Sequence, residues 1–298
     1  MNFDASIIVP ALDEENRIGP LLRVLTDDAD GMRLKIVVVC NGCHDRTASI
    51  ARSFPHVIVE ELPQASKHLA LNIGDNLAGE VFPRFYVDAD ITIDRIAIAM
   101  LSHALKVPFA RAVAPSIYFR TSGKPWLVRA FYFTLVRLPS YISWSSDHIS
   151  GRGVYGTNRE GRTRFGEFPP VRNDDSFFDL AFNAPERMTV DTAIVGVDVP
   201  DSARQLVRNR TRVRDGNLEI KKWFAKKQSD GPIHPLAGRS RPIRRFCRYV
   251  ARWKGSKLFA EQQSATATTY LAGYFIVELL ILLNSILHKA IQRPIPWR

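Results

Sequence analysis

The first 120 residues alternate short apolar runs with stretches of helical spacing, and few folds accommodate that pattern. Residues 6–9, 35–40, 57–62, 81–87 and 112–118 read as strands. Residues 18–29, 45–54, 66–78 and 94–105 read as the helices between them. The strands are apolar on both faces, so both faces must be covered. That pattern predicts a doubly wound, mostly parallel sheet with helices on both faces. Ligands of such sheets bind outside the carboxyl ends of the strands, so the residues just after each strand are the ones to inspect.

After Arg120 the pattern changes. Residues 126–144 are aromatic and apolar and predict a helix against core or membrane, residues 151–166 predict strand and loop, and residues 188–199 one or two further strands. Residues 204–257 are strongly basic, with only Asp215, Glu219 and Asp230 acidic; Pro232, Pro235 and Pro242 with Gly231 and Gly238 predict an irregular segment there. The chain is read as one α/β domain over 1–216 followed by a basic linker and apolar helices over 217–298. Hydrophobic residues make up 46% and charged residues 24%, so a sizeable core is expected and global disorder is not. The net charge of +11 attracts phosphates, anionic lipid or nucleic acid without choosing between them. Cys40 and Cys43 have C-x-x-C spacing. No second such pair or His pair completes a zinc site, and with Cys247 they make no disulfide framework. A reducing cytoplasmic compartment is expected, and residues 1–4 lack the basic flank of a secretory signal.

The chemistry sits at the strand ends. Asp13-Glu14-Glu15 after the first strand can accept from a ribose or base, or decorate a helix N-terminus. Asn41 after the second strand carries the donor and acceptor of a base-edge reader, or belongs to an ordinary Asn-Gly turn. Lys67, near a helix start, can meet a phosphate or simply be solvated. Asp88 and Asp90 leave the fourth strand two residues apart, a spacing suited to one hard divalent cation, Mg2+ or Mn2+, and otherwise to capping. Asp174 and Asp175 precede an apolar run; they can cap a helix, or one can be a general base. Arg208, Arg210, Arg212 and Arg214 alternate, as residues sharing one face of a strand would, and can neutralise a diphosphate or form a solvated or nucleic-acid-binding face.

Taken in order, these motifs resemble family 2 of the inverting glycosyltransferases, which has the GT-A fold. The family's V-P-x-x-N-E-E is similar to residues 9–15, with Asp13 for Asn. Its V-D-D-G-S-x-D-x-T is similar to residues 39–47, with Cys40 and Asn41 for the two acids and Cys43 for the serine. Its K-x-x-A-L-N-x-G resembles residues 67–74, its D-x-D residues 88–90, and its E-D pair residues 174–175; its basic motif is matched loosely by residues 205–212. The resemblance implies a nucleotide-sugar donor, with UDP as the default. Pro10, Glu14 and Asn41 would lie by the nucleoside and Lys67 by the base or diphosphate. Asp88 and Asp90 would hold ribose and Mg2+ or Mn2+. Asp175 would be the base with Asp174 its neighbour or substitute, and Arg210 and Arg212 would meet the departing diphosphate. The acceptor would be a hydroxyl on a lipid-linked or polysaccharide substrate.

The basic tail, Trp223, Trp253 and the apolar residues 270–287 predict contact with an anionic membrane surface, on the cytoplasmic side, and no nucleic-acid partner. Glu278 and the length of the apolar stretch favour a helix lying on the surface or packed on a partner over one that spans. Two rivals stand beside this reading. A sugar-phosphate nucleotidyltransferase needs a glycine-rich basic loop after its first strand, where this chain has Pro10 to Glu14. A non-catalytic basic protein that binds lipid or nucleic acid gives no reason for acids at two strand ends.

Overall fold

The computed structural model describes residues 3–27, 31–229 and 265–291. The chain forms two compact units, one built from residues up to Arg120 together with Asp147–Asp198, the other from Thr121–Ser146 and residues from Val199 onward.

The first unit begins with β1 (Ala5–Ala11), α1 (Ile18–Leu25), β2 (Leu34–Asn41), α2 (Thr47–Arg52), β3 (Val57–Leu62), α3 (Lys67–Ala78), β4 (Arg84–Val87), α4 (Arg95–Ala104) and β5 (Ala112–Arg120). It resumes after the second unit's α5 (Trp126–Leu135) and α6 (Pro139–Asp147) with β6 (Val154–Thr157), α7 (Arg159–Arg162), α8 (Asp174–Leu180) and β7 (Arg187–Asp198). The sheet order is β3-β2-β1-β4-β6-β5-β7. Only β6 runs antiparallel to its neighbours β4 and β5. The expected strands are present, and residues 188–199 make one long strand, with a register shift opposite Pro115 and Ser116.

Strand periodicity explains both layers. On β1 and β2, Ile7, Val9, Ile36, Val38 and Cys40 face a core completed by Ile18, Leu22 and Leu25 of α1 and Ile98 and Leu101 of α4. Val37 and Val39 face the other way, against Ala70, Ile73 and Leu77 of α3. α3 lies so close to β1 that a Cβ on Gly74 would sit 2.3 Å from a methyl of Ile8. That contact accounts for the glycine of the K-x-x-A-L-N-x-G stretch. Under this layer Asp75 accepts from Arg84 (2.8 Å), Tyr86 (2.7 Å) and Arg162 (2.8 Å).

The second unit contains α5, α6, α9 (Ala203–Ser229) and α10 (Ala265–Ile291). Here the sequence reading needs correction. The arginine run 208–214, read as sharing one face of a strand, lies within α9. The irregular segment expected around Pro232, Pro235 and Pro242 lies outside the described residues. The arginines therefore do not alternate along a strand. On a helix, residues two apart point about 200° away from each other, so Arg210 and Arg212 lose their shared face. Arg210 instead lies over the Phe131 ring at 5.5 Å.

Candidate active site

The loops leaving β1 and β2 are clasped together. His44 N donates to Asp13 (2.7 Å), Glu14 N to Thr47 Oγ1 (2.7 Å) and Glu15 N to Asp45 (3.1 Å). Asp45 also accepts from the N–H of Thr47, the first residue of α2, at 2.9 Å. Pro10 is buried in β1 opposite Val39, and the Glu14 side chain is 15% exposed beside Arg17. Asn41 is fully buried. Its amide nitrogen donates to Ala11 O at 2.9 Å, while among the described residues its Oδ1 is a buried acceptor without a donor. An orphaned acceptor of this kind fits a ring N–H of a nucleobase.

Asp13, Cys43 and Asp45 each place a ligand atom within 4.8 Å of the others. Both carboxylates already accept backbone N–H groups, and the Cys43 thiol donates to Ala11 O at 3.4 Å, so the group reads as the clasp itself. Cys40 and Cys43 are free thiols. A hydrogen bond from Cys40 draws the Cys43 thiol down to about 7, against its burial, and the same pairing pushes Cys40 up.

The central feature is Lys67, the first residue of α3. Its Nζ lies 2.7 Å from Asp88 Oδ1 and 2.9 Å from Asp174 Oδ1, with the side chain 17% exposed. Burial works against the ammonium, but Asp174 and Asp88 more than offset it and hold Lys67 well above the ordinary lysine range. Sequence reasoning placed Lys67 by the base or diphosphate; the structure makes it a bridge between the D-x-D and the later acid pair. Burial drives the Asp88 pKa up, Lys67 opposes that, and Asp174 and Asp90 reinforce it. Asp90 is exposed, two residues beyond.

The two later acids are not equivalent. Asp174 is buried, and both its oxygens are committed, one to Lys67 and the other to Tyr155 Oη at 2.7 Å. Asp175 is half-buried and accepts from Gly151 N at 2.5 Å and from Ser176 N at 2.7 Å. Burial and then the Asp174 charge raise its pKa to about 6, with Lys67 and the Gly151 N–H pulling the other way. A carboxylate near neutrality is suited to take a proton at physiological pH.

Sequence reasoning missed the parts that tie this site together. The Gly151-Arg152-Gly153 loop reaches both acid clusters: Gly151 N meets Asp175, and Gly153 O accepts from Asp88 N at 2.8 Å. Gly153 has φ +69, and a Cβ there would meet Ile91 at 2.4 Å, so other residues are excluded on both counts. Asn72 of α3 makes a two-way bond with the Phe168 backbone, donating at 3.1 Å and accepting at 2.7 Å, and so holds the segment that leads into α8. Tyr155 on the inserted strand β6 is the third. Asn72 stands in the K-x-x-A-L-N-x-G stretch, and Gly151, Gly153 and Tyr155 stand in the stretch read as strand and loop, but nothing local signalled their partners.

The family described as Glycosyl transferase family 2 matches residues 6–163 of this chain. Among solved structures, the mannosyltransferase PcManGT from Pyrobaculum calidifontis, in complex with GDP-Man and Mn2+, is similar with a TM-score of 0.57 and 21% identity, over 94% of this chain and 88% of that one. Glucosyl-3-phosphoglycerate synthase from Mycobacterium tuberculosis, in complex with Mn2+, UDP-glucose and phosphoglyceric acid, gives a TM-score of 0.51 at 18% identity, over 72% of this chain and 79% of the other. At these identities the two structures speak for the fold. No curated protein matches the chain.

Proposed function

Because this chain belongs to glycosyl transferase family 2, we propose that it moves a sugar from a nucleotide-sugar donor to an acceptor hydroxyl with inversion at the anomeric carbon. The observation that carries the reading is the convergence of Asp88, Lys67, Asp174 and Asp175, from three separate segments, at the carboxyl ends of the strands. Asn41 Oδ1 is assigned the ring N–H of the base, a group that uracil and guanine both offer, with UDP-sugar as the default donor. Pro10 and Glu14, at the end of the neighbouring strand β1, are assigned to the nucleoside beside it.

Asp88 and Asp90 are a hard-oxygen pair that fits Mg2+ or Mn2+: Asp88 spends one oxygen on Lys67, and Asp90 is exposed. A bound cation supplies charge neutralisation for the diphosphate leaving group. Asp175 takes the proton of the incoming hydroxyl. Asp174, held by Lys67 and Tyr155, fixes the turn on which Asp175 stands and raises its basicity. Arg210 and Arg212, on the helix of the second unit, are left out of this assignment. The acceptor is taken to be lipid-linked or a polysaccharide. The protein is placed at the cytoplasmic face of an anionic membrane, to which its surplus of positive charge is drawn.

Nucleotide binding provides the direct test. UDP or GDP with Mn2+ should raise the thermal midpoint, by the equivalent of about 2.7 kcal/mol at a hundredfold excess over Kd. Asp88→Ala should abolish the Mn2+-dependent part. If neither nucleotide stabilises the protein, or the variant responds like the parent, the assignment fails.

A further inference from the structure

We propose that one face of α10 is embedded in bilayer hydrocarbon with the helix lying in the membrane plane. The proposed surface attachment, which the inference takes as its means of recruitment, thereby becomes insertion.

The helix is apolar nearly all round, yet among the described residues protein covers one side only. Tyr274, Val277 and Ile281 are buried against α5 and α9, with Tyr274 stacked on Phe131 at 5.1 Å. Two of its polar residues point to the same side. Asn284 donates to Thr211 at 3.1 Å, and Ser285 donates to Asp215 at 2.6 Å. The opposite side shows Ile276, Leu279, Leu280, Leu283, Ile286 and Leu287, between 42% and 57% exposed. A helix in water puts its polar residues outward. Here Asn284 and Ser285 are turned in and satisfied, Glu278 is half-buried, and between Ile276 and Leu287 the outward face is aliphatic, an arrangement that suits a surrounding medium without hydrogen-bonding partners.

The charge on α9 chooses in-plane insertion over a span. The apolar stretch Thr268–Leu287 is long enough to cross, at 20 residues. However, α9 packs on its inner side and carries nine cationic residues against two acidic ones, which hydrocarbon would not accept. The same charge is complementary to anionic headgroups. A surface of a second copy would be expected to carry aromatic, Met and Arg side chains in its centre. This face carries leucine and isoleucine, so lipid is the occupant it fits.

Flotation of the full chain with vesicles of phosphatidylcholine and phosphatidylglycerol tests it, before and after a high-salt wash. The wild type should float and stay bound through the wash. Leu279→Glu with Leu283→Glu should keep its nucleotide-dependent thermal shift, as a check on folding, and lose the salt-resistant fraction. Complete release of the wild type by salt would overturn insertion and leave headgroup attraction standing. Failure to float, with a dimer in light scattering that the double variant lacks, would overturn it in favour of a second copy.

Discussion

Asp175→Asn should lower the turnover of transfer about 10²–10⁴-fold while leaving nucleotide binding near its parent value. The asymmetry of the acid pair is the reason. Asp174 has given both oxygens to Lys67 and Tyr155, whereas Asp175 is held by two backbone N–H groups and, among the described residues, is not paired with a cation. The pH profile gives a second readout with a defined sign. Burial and the neighbouring Asp174 raise Asp175 to about 6, and a base works in its deprotonated form. Turnover should therefore be full above that value and fall as pH drops through it. The residual activity of Asp175→Asn should lack this limb. Unchanged turnover in the variant would remove Asp175 from the role of base.

The second large effect is on stability and involves no residue assigned to chemistry. Asp75→Ala should cost about 3–5 kcal/mol, the range for breaking a buried ion pair from one side. Arg84 has 4% of its side chain exposed and Arg162 has 19%; both rely on Asp75, and Tyr86 donates to it as well. Removing the carboxylate strands buried positive charge beneath the sheet. Chemical or thermal denaturation measures the loss. A change below about 1 kcal/mol, the range of an exposed pair, would show that the cluster is screened and dispensable. Asp75 is one residue beyond Gly74, so the end of α3 carries a structural anchor and its beginning, at Lys67, carries the site.

The first half of the fold was legible because its signals are local. β1, β2 and β3 are apolar or valine-rich, and their limits follow the change of period to within a residue or two. α9 was not legible. Its buried positions include Leu206, Thr211, Gly216 and Ile220, so the inward stripe mixes small and polar residues and shows little hydrophobic period under dense charge. A strand within residues 151–166 was expected, but the antiparallel insertion of β6 depends on partners from β4 and β5 and was not. The site divides in the same way. Acids after strands could be found by position, and Asp88, Asp174 and Asp175 do come together. The attachment of Lys67 to Asp174, 107 positions apart, is tertiary, as is the donation from Tyr155 to the same carboxylate. Neither has a local signal.

Lys67 carries a further implication for the enzyme at rest. Three acids crowded at one crevice would push apart and take up protons whenever no cation is present. An ammonium fixed between two of them is a built-in counter-ion, so the crevice keeps its shape between turnovers and is not reassembled each time. Chelation should then silence the chemistry without loosening the fold, because Lys67 still bridges Asp88 and Asp174.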